Sequence, residues 1–173
     1  MTIRIEKHLV SEMSQDLKQE LKNRVDREFA DVSIVREHVW AEPWLAITGS
    51  AEGQLVSFLN LVDRQVLTDE TATHFFGLNN VITEPEYRGK GFSTALNRYA
   101  IQVMQETDPQ ACGFLFCADA LIPFYARLGW QKFDGTVTVS QPSGDKLWPS
   151  NAMYFDLSGT RHWKTVHLRG LPW

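Results

Sequence analysis

The chain has 173 residues, of which 43% are hydrophobic, and its formal net charge is −4. This length suits one globular domain over residues 1–173, and the acidic balance argues against a nucleic-acid-binding surface. No apolar run is long enough to span a membrane, and the N-terminal segment lacks the apolar core of a signal peptide, so we expect a cytoplasmic protein without membrane contact.

The N-terminal half predicts two helices followed by three strands. Apolar residues recur at every fourth position from Met13 to Phe29, which indicates an amphipathic helix over residues 12–30 with Ser11 as its N-cap. A shorter helix is predicted over residues 33–40. Alternating apolar residues then predict strands over residues 44–50, 54–62 and 73–83.

The C-terminal half predicts a helix, a buried strand, a short helix and two further strands. The spacing of apolar residues favours a helix over residues 89–106, and the apolar run of residues 111–117 is typical of a buried strand. In the short helix that follows, Asp119 is a candidate cap and Gly129 suits the left-handed end. The remaining segments are strands over residues 130–140 and 151–157 and a tail without a clear period over residues 158–173.

The order of these elements predicts an α/β domain with a mixed sheet. A helix that connects two strands of one sheet places them side by side and parallel, so strands 73–83 and 111–117 are expected to be parallel neighbours. The first three strands are expected to form an antiparallel meander. Cys112 and Cys117 would point to opposite faces, which argues against a disulfide between them. No cysteine or histidine spacing fits a zinc site, so no metal is expected.

The segment Arg88-Gly89-Lys90-Gly91 stands where the helix over residues 89–106 is expected to begin. Its spacing matches neither a P-loop nor a dinucleotide-binding fingerprint. Glycines nevertheless allow a tight turn, and the unpaired N–H groups of a helix start attract anions. The segment therefore indicates a cradle for phosphate oxygens, and the alternative is a basic turn whose side chains are solvated.

Two motifs resemble those of the GNAT acetyltransferase superfamily. Arg88–Ser93 resembles the R/Q-x-x-G-x-G/A motif, and residues 122–130, IPFYARLGW, resemble the A-x-x-F-Y-x-x-x-G-F/W segment. They occur in the family's order, with a helix and a strand between them. The resemblance implies a mixed, mostly antiparallel sheet with a central parallel pair splayed around the coenzyme and about four flanking helices. It also implies acetyl-CoA as co-substrate.

The resemblance assigns roles to individual residues of this chain. The pyrophosphate of acetyl-CoA would bind to Arg88, Gly89, Lys90, Gly91, Phe92 and Ser93. Ser93 departs from the family pattern, which has Gly or Ala there. The pantetheine arm would pair with the backbone of Val81, Ile82 and Thr83. Tyr125 would act as the general acid, since a tyrosine hydroxyl is protonated at neutral pH and can protonate a thiolate.

A narrower similarity is to aminoglycoside 2'-N-acetyltransferases, which also end in tryptophan. It rests on the chain length, on the Gly129-Trp130 pair and on the C-terminal sequence RGLPW. It implies that Asn79, Asp119 and Trp173 lie near the acceptor. Asn79 is neutral where those enzymes have an acidic residue, which argues against an aminoglycoside acceptor. Trp163 and Trp173 are expected to anchor the tail over the acceptor cleft or at a dimer contact.

These observations predict an acetyl-CoA-dependent N-acetyltransferase that acts on the primary amine of a small molecule by direct attack in a ternary complex. The alternatives are a peptide or protein amine as acceptor, or a non-catalytic acyl-CoA-binding module. A homodimer is compatible with the family.

The general base is left open by the sequence. Candidates are Glu84, Glu86, His74, Asp119 and the terminal carboxylate of Trp173, and a water relay is a further alternative. Cys117 stands near the expected position of the acetyl group, so a covalent acetyl-cysteine step is an alternative to direct transfer.

Overall fold

Ten strands and four α-helices are found in residues 2–159 and 161–173, the part of the chain that the computed structural model describes. The helices are α1 Gln15–Glu28, α2 Ser33–Arg36, α3 Phe92–Thr107 and α4 Ile122–Ala126. The strands are β1 Arg4–Leu9, β2 Leu45–Ala51, β3 Gln54–Thr68, β4 Thr71–Thr83, β5 Cys112–Cys117, β6 Gln131–Phe133, β7 Thr136–Gln141, β8 Gly144–Leu147, β9 Asn151–Asp156 and β10 Thr165–His167.

The strands form one curled, mostly antiparallel sheet. Its order is β6-β9-β5-β4-β3-β10-β7-β8, and β2 also pairs with β3 while β1 pairs with β2. The central pair β4–β5 is parallel, with Phe75 opposite Cys112 and Leu78 opposite Leu115. This confirms the predicted fold class and the predicted parallel pair. A second parallel contact, between β10 and β7, was not anticipated.

The start of helix α1 differs from the prediction. Residues 10–12 form a 3₁₀ turn, and the helix begins at Gln15 with Ser14 as its N-cap. The Ser14 hydroxyl accepts a hydrogen bond from the backbone N–H of Leu17 at 3.2 Å. The predicted cap, Ser11, was wrong because an apolar repeat of four residues fixes the face of a helix and not its first residue.

Several short elements of the structure were not predicted from the sequence. The first is β1, which lies antiparallel to β2. Residues 130–140 contain two strands, since the chain turns at Gly135, where a Cβ atom would lie 2.2 Å from the Lys164 carbonyl oxygen. Strands β8 and β10 are short, and β8 is fully exposed at the sheet edge, so neither has a hydrophobic period. Helix α2 is also shorter than the predicted 33–40.

The two faces of the sheet carry different elements. Helices α3 and α4 cover one face, where Leu96 and Tyr125 pack against Leu78 and Leu115. Helix α1 covers part of the other face through Leu21. The remaining part of that face carries a second cluster that includes Phe75, Phe114 and the tail residue Trp173. As predicted, Cys112 and Cys117 belong to clusters on opposite faces, and both are free thiols.

The tail residue Trp173 is part of the core. Its side chain is 1% exposed, and its indole N–H donates to the Phe114 carbonyl oxygen at 3.0 Å. The ring lies directly on Gly77 of β4, where a Cβ atom would be 2.1 Å from the indole. Gly77 therefore leaves the space that the indole fills.

The contact between Gly77 and Trp173 can be tested by a double-mutant cycle. We expect Gly77→Ala to lower the free energy of unfolding by about 1–3 kcal/mol, because the added methyl overpacks a filled core. The cost should largely disappear in a Trp173→Ala background, which removes the ring. Urea denaturation of the four proteins measures the coupling. Additive costs would contradict the contact.

Candidate active site

The parallel strands β4 and β5 separate at their carboxyl ends. Their pairing ends at Leu78 and Leu115, although β4 continues to Thr83 and β5 to Cys117. Two irregularities of β4 coincide with the separation. The register between β3 and β4 shifts between Phe58 and Asn60, and Asn80 has a φ of 51°. The bulge turns β4 away from β5 and leaves a gap between them.

A glycine-rich loop joins the end of β4 to helix α3. Gly89 and Gly91 have φ values of 75° and 82°, and Gly91 is the N-cap of α3 without a side-chain capping bond. A Cβ atom at either glycine would meet nothing within 4 Å. The left-handed backbone, rather than lack of space, is therefore what requires glycine here. The first-turn N–H groups of α3 face the loop with no capping side chain, which favours an anion.

A chain of hydroxyl groups ties the start of α3 to the end of β4. Ser93 Oγ lies 2.7 Å from Thr83 Oγ1, which lies 2.8 Å from Ser57 Oγ. The Ser57 hydroxyl donates to the Ile82 carbonyl oxygen at 2.9 Å. Ser93, the residue that departs from the family motif, thus holds the glycine loop on the strand.

Arg88 and Lys90 have different surroundings. The Arg88 guanidinium donates to the Thr83 carbonyl oxygen at 2.9 Å and to Glu28 of α1 at 2.8 Å. Arg88 therefore braces the loop against α1, with its charge balanced by a carboxylate. Lys90 is exposed, and its Nζ atom lies 4.8 Å from the Tyr87 ring centroid.

Glu84, a candidate base in the sequence, is engaged in ion pairs. Its carboxylate accepts hydrogen bonds from Arg24 and, at 2.7 Å, from Arg27, both on α1. It is therefore the centre of an ion-pair cluster that holds α1 on the loop. Glu86 is exposed within the 3₁₀ turn Pro85–Tyr87.

Tyr125 lies on the α3 side of the sheet, in the same core cluster as Cys117 at the end of β5. Its side chain is 5% exposed, and its ring packs on Trp130 at a centroid distance of 6.2 Å. Burial raises the pKa of the Tyr125 hydroxyl well above its ordinary value, so the group is protonated at neutral pH. Burial also raises the pKa of the Cys117 thiol to about 11, which disfavours the nucleophilic thiolate.

Asn79 lies on the opposite face from Tyr125. It is paired across the ladder with Asn60 of β3, and in both residues the Oδ1 atom is buried and has no hydrogen-bond partner in the described part of the chain. Leaving a buried polar atom unpaired costs about 1–3 kcal/mol each. Asn60 and Asn79 thus place two buried, unpaired amide oxygens at paired positions of the ladder, and an arrangement of this kind requires an explanation.

Asp119 lies just beyond the end of β5, in the 3₁₀ turn Asp119–Leu121. It was predicted to cap the following helix, but neither this turn nor α4 has a side-chain cap. Its carboxylate instead accepts a hydrogen bond from Asn151 Nδ2 at 2.8 Å. This hydrogen bond links the turn after β5 to the first residue of β9.

His74 lies far from the gap. The gap begins at residue 79, five residues and roughly 17 Å along β4 from His74 at about 3.3 Å per residue, so His74 does not reach the reacting centre as a base. Its ring bridges two carboxylates, with Nδ1 2.6 Å from Asp108 and Nε2 2.7 Å from Asp63. Desolvation by burial lowers the pKa of His74, but the bonds to Asp108 and Asp63 outweigh it, so the net pKa is raised.

The described residues contain no group of side chains that could hold a metal ion. In residues 2–159 and 161–173, no three side chains of His, Cys, Asp or Glu converge as a metal site would require. His162 and His167 are engaged separately, with Tyr154 and Asp145 respectively. Within the same residues, no helix is long and apolar enough to cross a membrane.

A family model described as an acetyltransferase (GNAT) domain matches residues 7–133, well over half of the chain. The chain belongs to this family. An aminoglycoside 2'-N-acetyltransferase of Mycolicibacterium fortuitum is 28% identical over 92 residues, which are 53% of this chain and 46% of that protein. This GNAT chain therefore matches about half the length of that relative.

Solved structures share the fold of this GNAT chain. A GNAT family acetyltransferase from Brucella melitensis in complex with acetyl-CoA has a TM-score of 0.63 and 13% identity, over 95% of this chain and 94% of that one. Escherichia coli ElaA has a TM-score of 0.62 and 14% identity, over 90% of this chain and all of the other. At this identity the comparison shows the fold.

Sequence reasoning missed the partners that hold the site together. Glu28 and Ser57 contact Arg88 and Thr83 across long separations in sequence, and no local pattern indicates such contacts. Asn60 had a visible signal, since it interrupts the apolar run of β3. A polar residue in such a run is expected to have a partner or a function.

The bridge at His74 predicts a pH dependence of stability. The pKa of His74 is raised in the folded state. Its contribution to the free energy of unfolding is therefore fully present below the unfolded-state pKa of about 6.5, and it is lost as the pH rises through the folded-state pKa. We expect the difference in urea midpoint between the wild type and His74→Gln to be larger at pH 6 than at pH 9. His8→Gln is the control, since the His8 ring contacts the neutral Thr48 hydroxyl at 2.9 Å. A difference that is equal at both pH values would contradict the bridge.

Proposed function

We propose that this GNAT family member is an acetyl-CoA-dependent N-acetyltransferase that acetylates the primary amine of a small molecule by direct attack in a ternary complex. The observation that carries the proposal is the gap between β4 and β5. The glycine loop lies at its end, Tyr125 on one face and Asn79 on the other. The acceptor amine can therefore reach the thioester carbonyl carbon of acetyl-CoA from the face opposite Tyr125.

The coenzyme is assigned to the α3 side and the gap. The backbone N–H groups of Gly89–Ser93 bind the pyrophosphate, and the dipole of α3 favours its negative charge. The backbone of Val81, Ile82 and Thr83, beyond the end of the β4–β5 ladder, pairs with the pantetheine arm. Lys90 is exposed and adds local positive charge, whereas Arg88 acts through the loop that it braces against Glu28.

The transfer step needs two proton movements. The neutral amine attacks the thioester carbonyl carbon, the new C–N bond forms and the C–S bond breaks. Main-chain N–H groups of β4 at the gap stabilise the oxyanion, and the Tyr125 hydroxyl gives its proton to the departing sulfur. Glu84 and His74 are both engaged in ion pairs elsewhere, so the proton lost by the amine passes to water, to Glu86, to Asp119 or to the terminal carboxylate of Trp173.

The acceptor is assigned to the sheet face that carries Asn79. Trp173 packs on the same face at Gly77, and Asp119 lies just beyond the end of β5. The named activity of the Mycolicibacterium fortuitum relative supports an amine acceptor. Asn79 and its neighbour Asn60 are neutral, however, which favours an acceptor with fewer positive charges than an aminoglycoside.

Coenzyme binding tests the first part of the proposal. Acetyl-CoA should raise the melting temperature of the wild type, because a ligand of the native state stabilises it. Gly91→Ala should weaken this binding several-fold, since the left-handed conformation costs an L-residue about 1–2 kcal/mol and the loop relaxes away from it. Gly144→Ala, at a φ of 109° in the β7–β8 turn, is the matched control and should bind normally. No shift with acetyl-CoA at millimolar concentration would overturn the proposal.

The role of Tyr125 is tested by thiol release. Tyr125→Phe should lower kcat by at least about tenfold, because it removes the proton donor, while leaving the Kd for acetyl-CoA nearly unchanged. Cys117→Ser, in the same cluster, should retain full turnover if transfer is direct. Unchanged turnover in Tyr125→Phe would exclude the acid role, and loss of turnover in Cys117→Ser would support a covalent step instead.

A further inference from the structure

We propose that the acceptor is a monoamine that carries an aromatic ring. Its amine donates hydrogen bonds to the Asn79 and Asn60 side chains, and its ring packs on the exposed edges of the stacked pair Phe116 and Trp148. This inference rests on the proposed function and names the acceptor class for the same site.

The position of this surface follows from the register of the sheet. Leu78 and Leu115 are the last paired residues of β4 and β5, so the next positions, Asn79 and Phe116, are level with each other where the strands separate. Side chains alternate along a strand, so both lie on the face of Gly77 and Phe114, opposite Tyr125. Asn79 and Phe116 therefore flank the acceptor side of the gap.

The polar part of the surface consists of amide oxygens. Asn60 is 6% exposed, and its Oδ1 atom and that of Asn79 are both buried without a hydrogen-bond partner in the described residues. A carbonyl oxygen accepts from an N–H group and carries no net charge. Two adjacent acceptors suit the N–H groups of one amine, and they do not neutralise a series of ammonium charges.

The apolar part consists of a continuous aromatic cluster. Trp148 stacks on Phe116 at a centroid distance of 4.1 Å, and Phe116 stacks on Trp173 at 6.4 Å. The rings of Trp40 and His38 also neighbour Trp148, at centroid distances of 5.8 and 5.4 Å. Phe116, Trp148, Trp40 and His38 are only half-buried, so the cluster runs from the gap to the surface.

Two features of this cluster suit a ligand site. The Trp148 ring is half-buried, and its indole N–H is buried without a hydrogen-bond partner in the described residues; the core residue Trp130 shares the unpaired N–H but not the exposure. The segment that carries Trp40 is also held in place at its backbone. Gln141 accepts from the Val39 N–H at 2.8 Å and donates to the Val39 carbonyl oxygen at 3.0 Å. The rings are therefore fixed before a ligand arrives, which suits recognition of a flat group.

The charges nearby disfavour a polycation. Arg64 lies on the same face of β3 as Asn60, four residues and roughly 13 Å along the strand at about 3.3 Å per residue. Its guanidinium lies 5.3 Å from the Trp173 ring centroid and donates to the Leu171 carbonyl oxygen at 2.7 Å. This fixed positive charge repels an acceptor with several ammonium groups more than one with a single amine.

The test compares three amines with the wild-type protein and acetyl-CoA. Phenethylamine and cyclohexylethylamine have the same length and differ in the aromatic ring, and kanamycin supplies a polycation. We expect the kcat/KM for phenethylamine to be about three- to tenfold higher than that for cyclohexylethylamine, as aromatic contacts allow. The kcat/KM for kanamycin should be lower still.

Variants separate recognition from folding. Trp148→Leu should bring the ratio of the kcat/KM for phenethylamine to that for cyclohexylethylamine close to one, without changing the Kd for acetyl-CoA. A purely structural role of Trp148 would leave this ratio unchanged. Leu147→Ala, at the neighbouring position and 69% exposed, is the control. Asn79→Asp should raise the activity with kanamycin relative to phenethylamine, because it adds a negative charge.

The outcomes distinguish this inference from the proposed function. Acetyl-CoA binding together with equal or higher activity on kanamycin or cyclohexylethylamine would overturn the aromatic acceptor and leave the acetyltransferase proposal standing. Acetyl-CoA binding without turnover of phenethylamine would likewise overturn it. Failure to bind acetyl-CoA would overturn the proposed function and, with it, the proposal of an aromatic acceptor.

Discussion

The parallel pairing of β4 and β5, and its early end, is the constraint on which the candidate site depends. Four pairs of residues hold the strands together in the centre of the sheet, and the bulge around Asn80 then diverts β4. A regular ladder would have closed the sheet and satisfied its backbone groups internally. Because the ladder stops, backbone polar groups and a passage through the sheet become available in one place.

The elements around the gap are positioned by contacts that do not take part in the proposed chemistry. Helix α1 holds the glycine loop through two clusters of charged residues, with Glu28 on Arg88 and Glu84 between Arg24 and Arg27. The hydroxyl chain from Ser57 to Ser93 joins the same loop to β4 from within. The loop is therefore fixed on two sides, which preorganises its N–H groups.

The tail fixes the opposite face. Trp173 fills the space above Gly77 and bonds to the backbone of β5, so the last residues stabilise the two strands at the level where they are still paired. The Pro172 carbonyl oxygen accepts from the Ala41 N–H at 2.8 Å, which links the tail to the segment that carries Trp40. The tail thus connects the central strands, through Trp173, with the segment that carries Trp40 of the aromatic cluster.

The sequence by itself determined the α/β class, the parallel pair, the family and the glycine loop, because these follow from local periodicity and short motifs. It did not determine the start of α1, the strands β1, β8 and β10, or the partners of Glu84, Arg88 and His74. Those depend on side chains that are distant in the chain and adjacent only after folding. The unpaired oxygens of Asn60 and Asn79 and their position beside Phe116 were decided by tertiary structure alone, since strand register places them together.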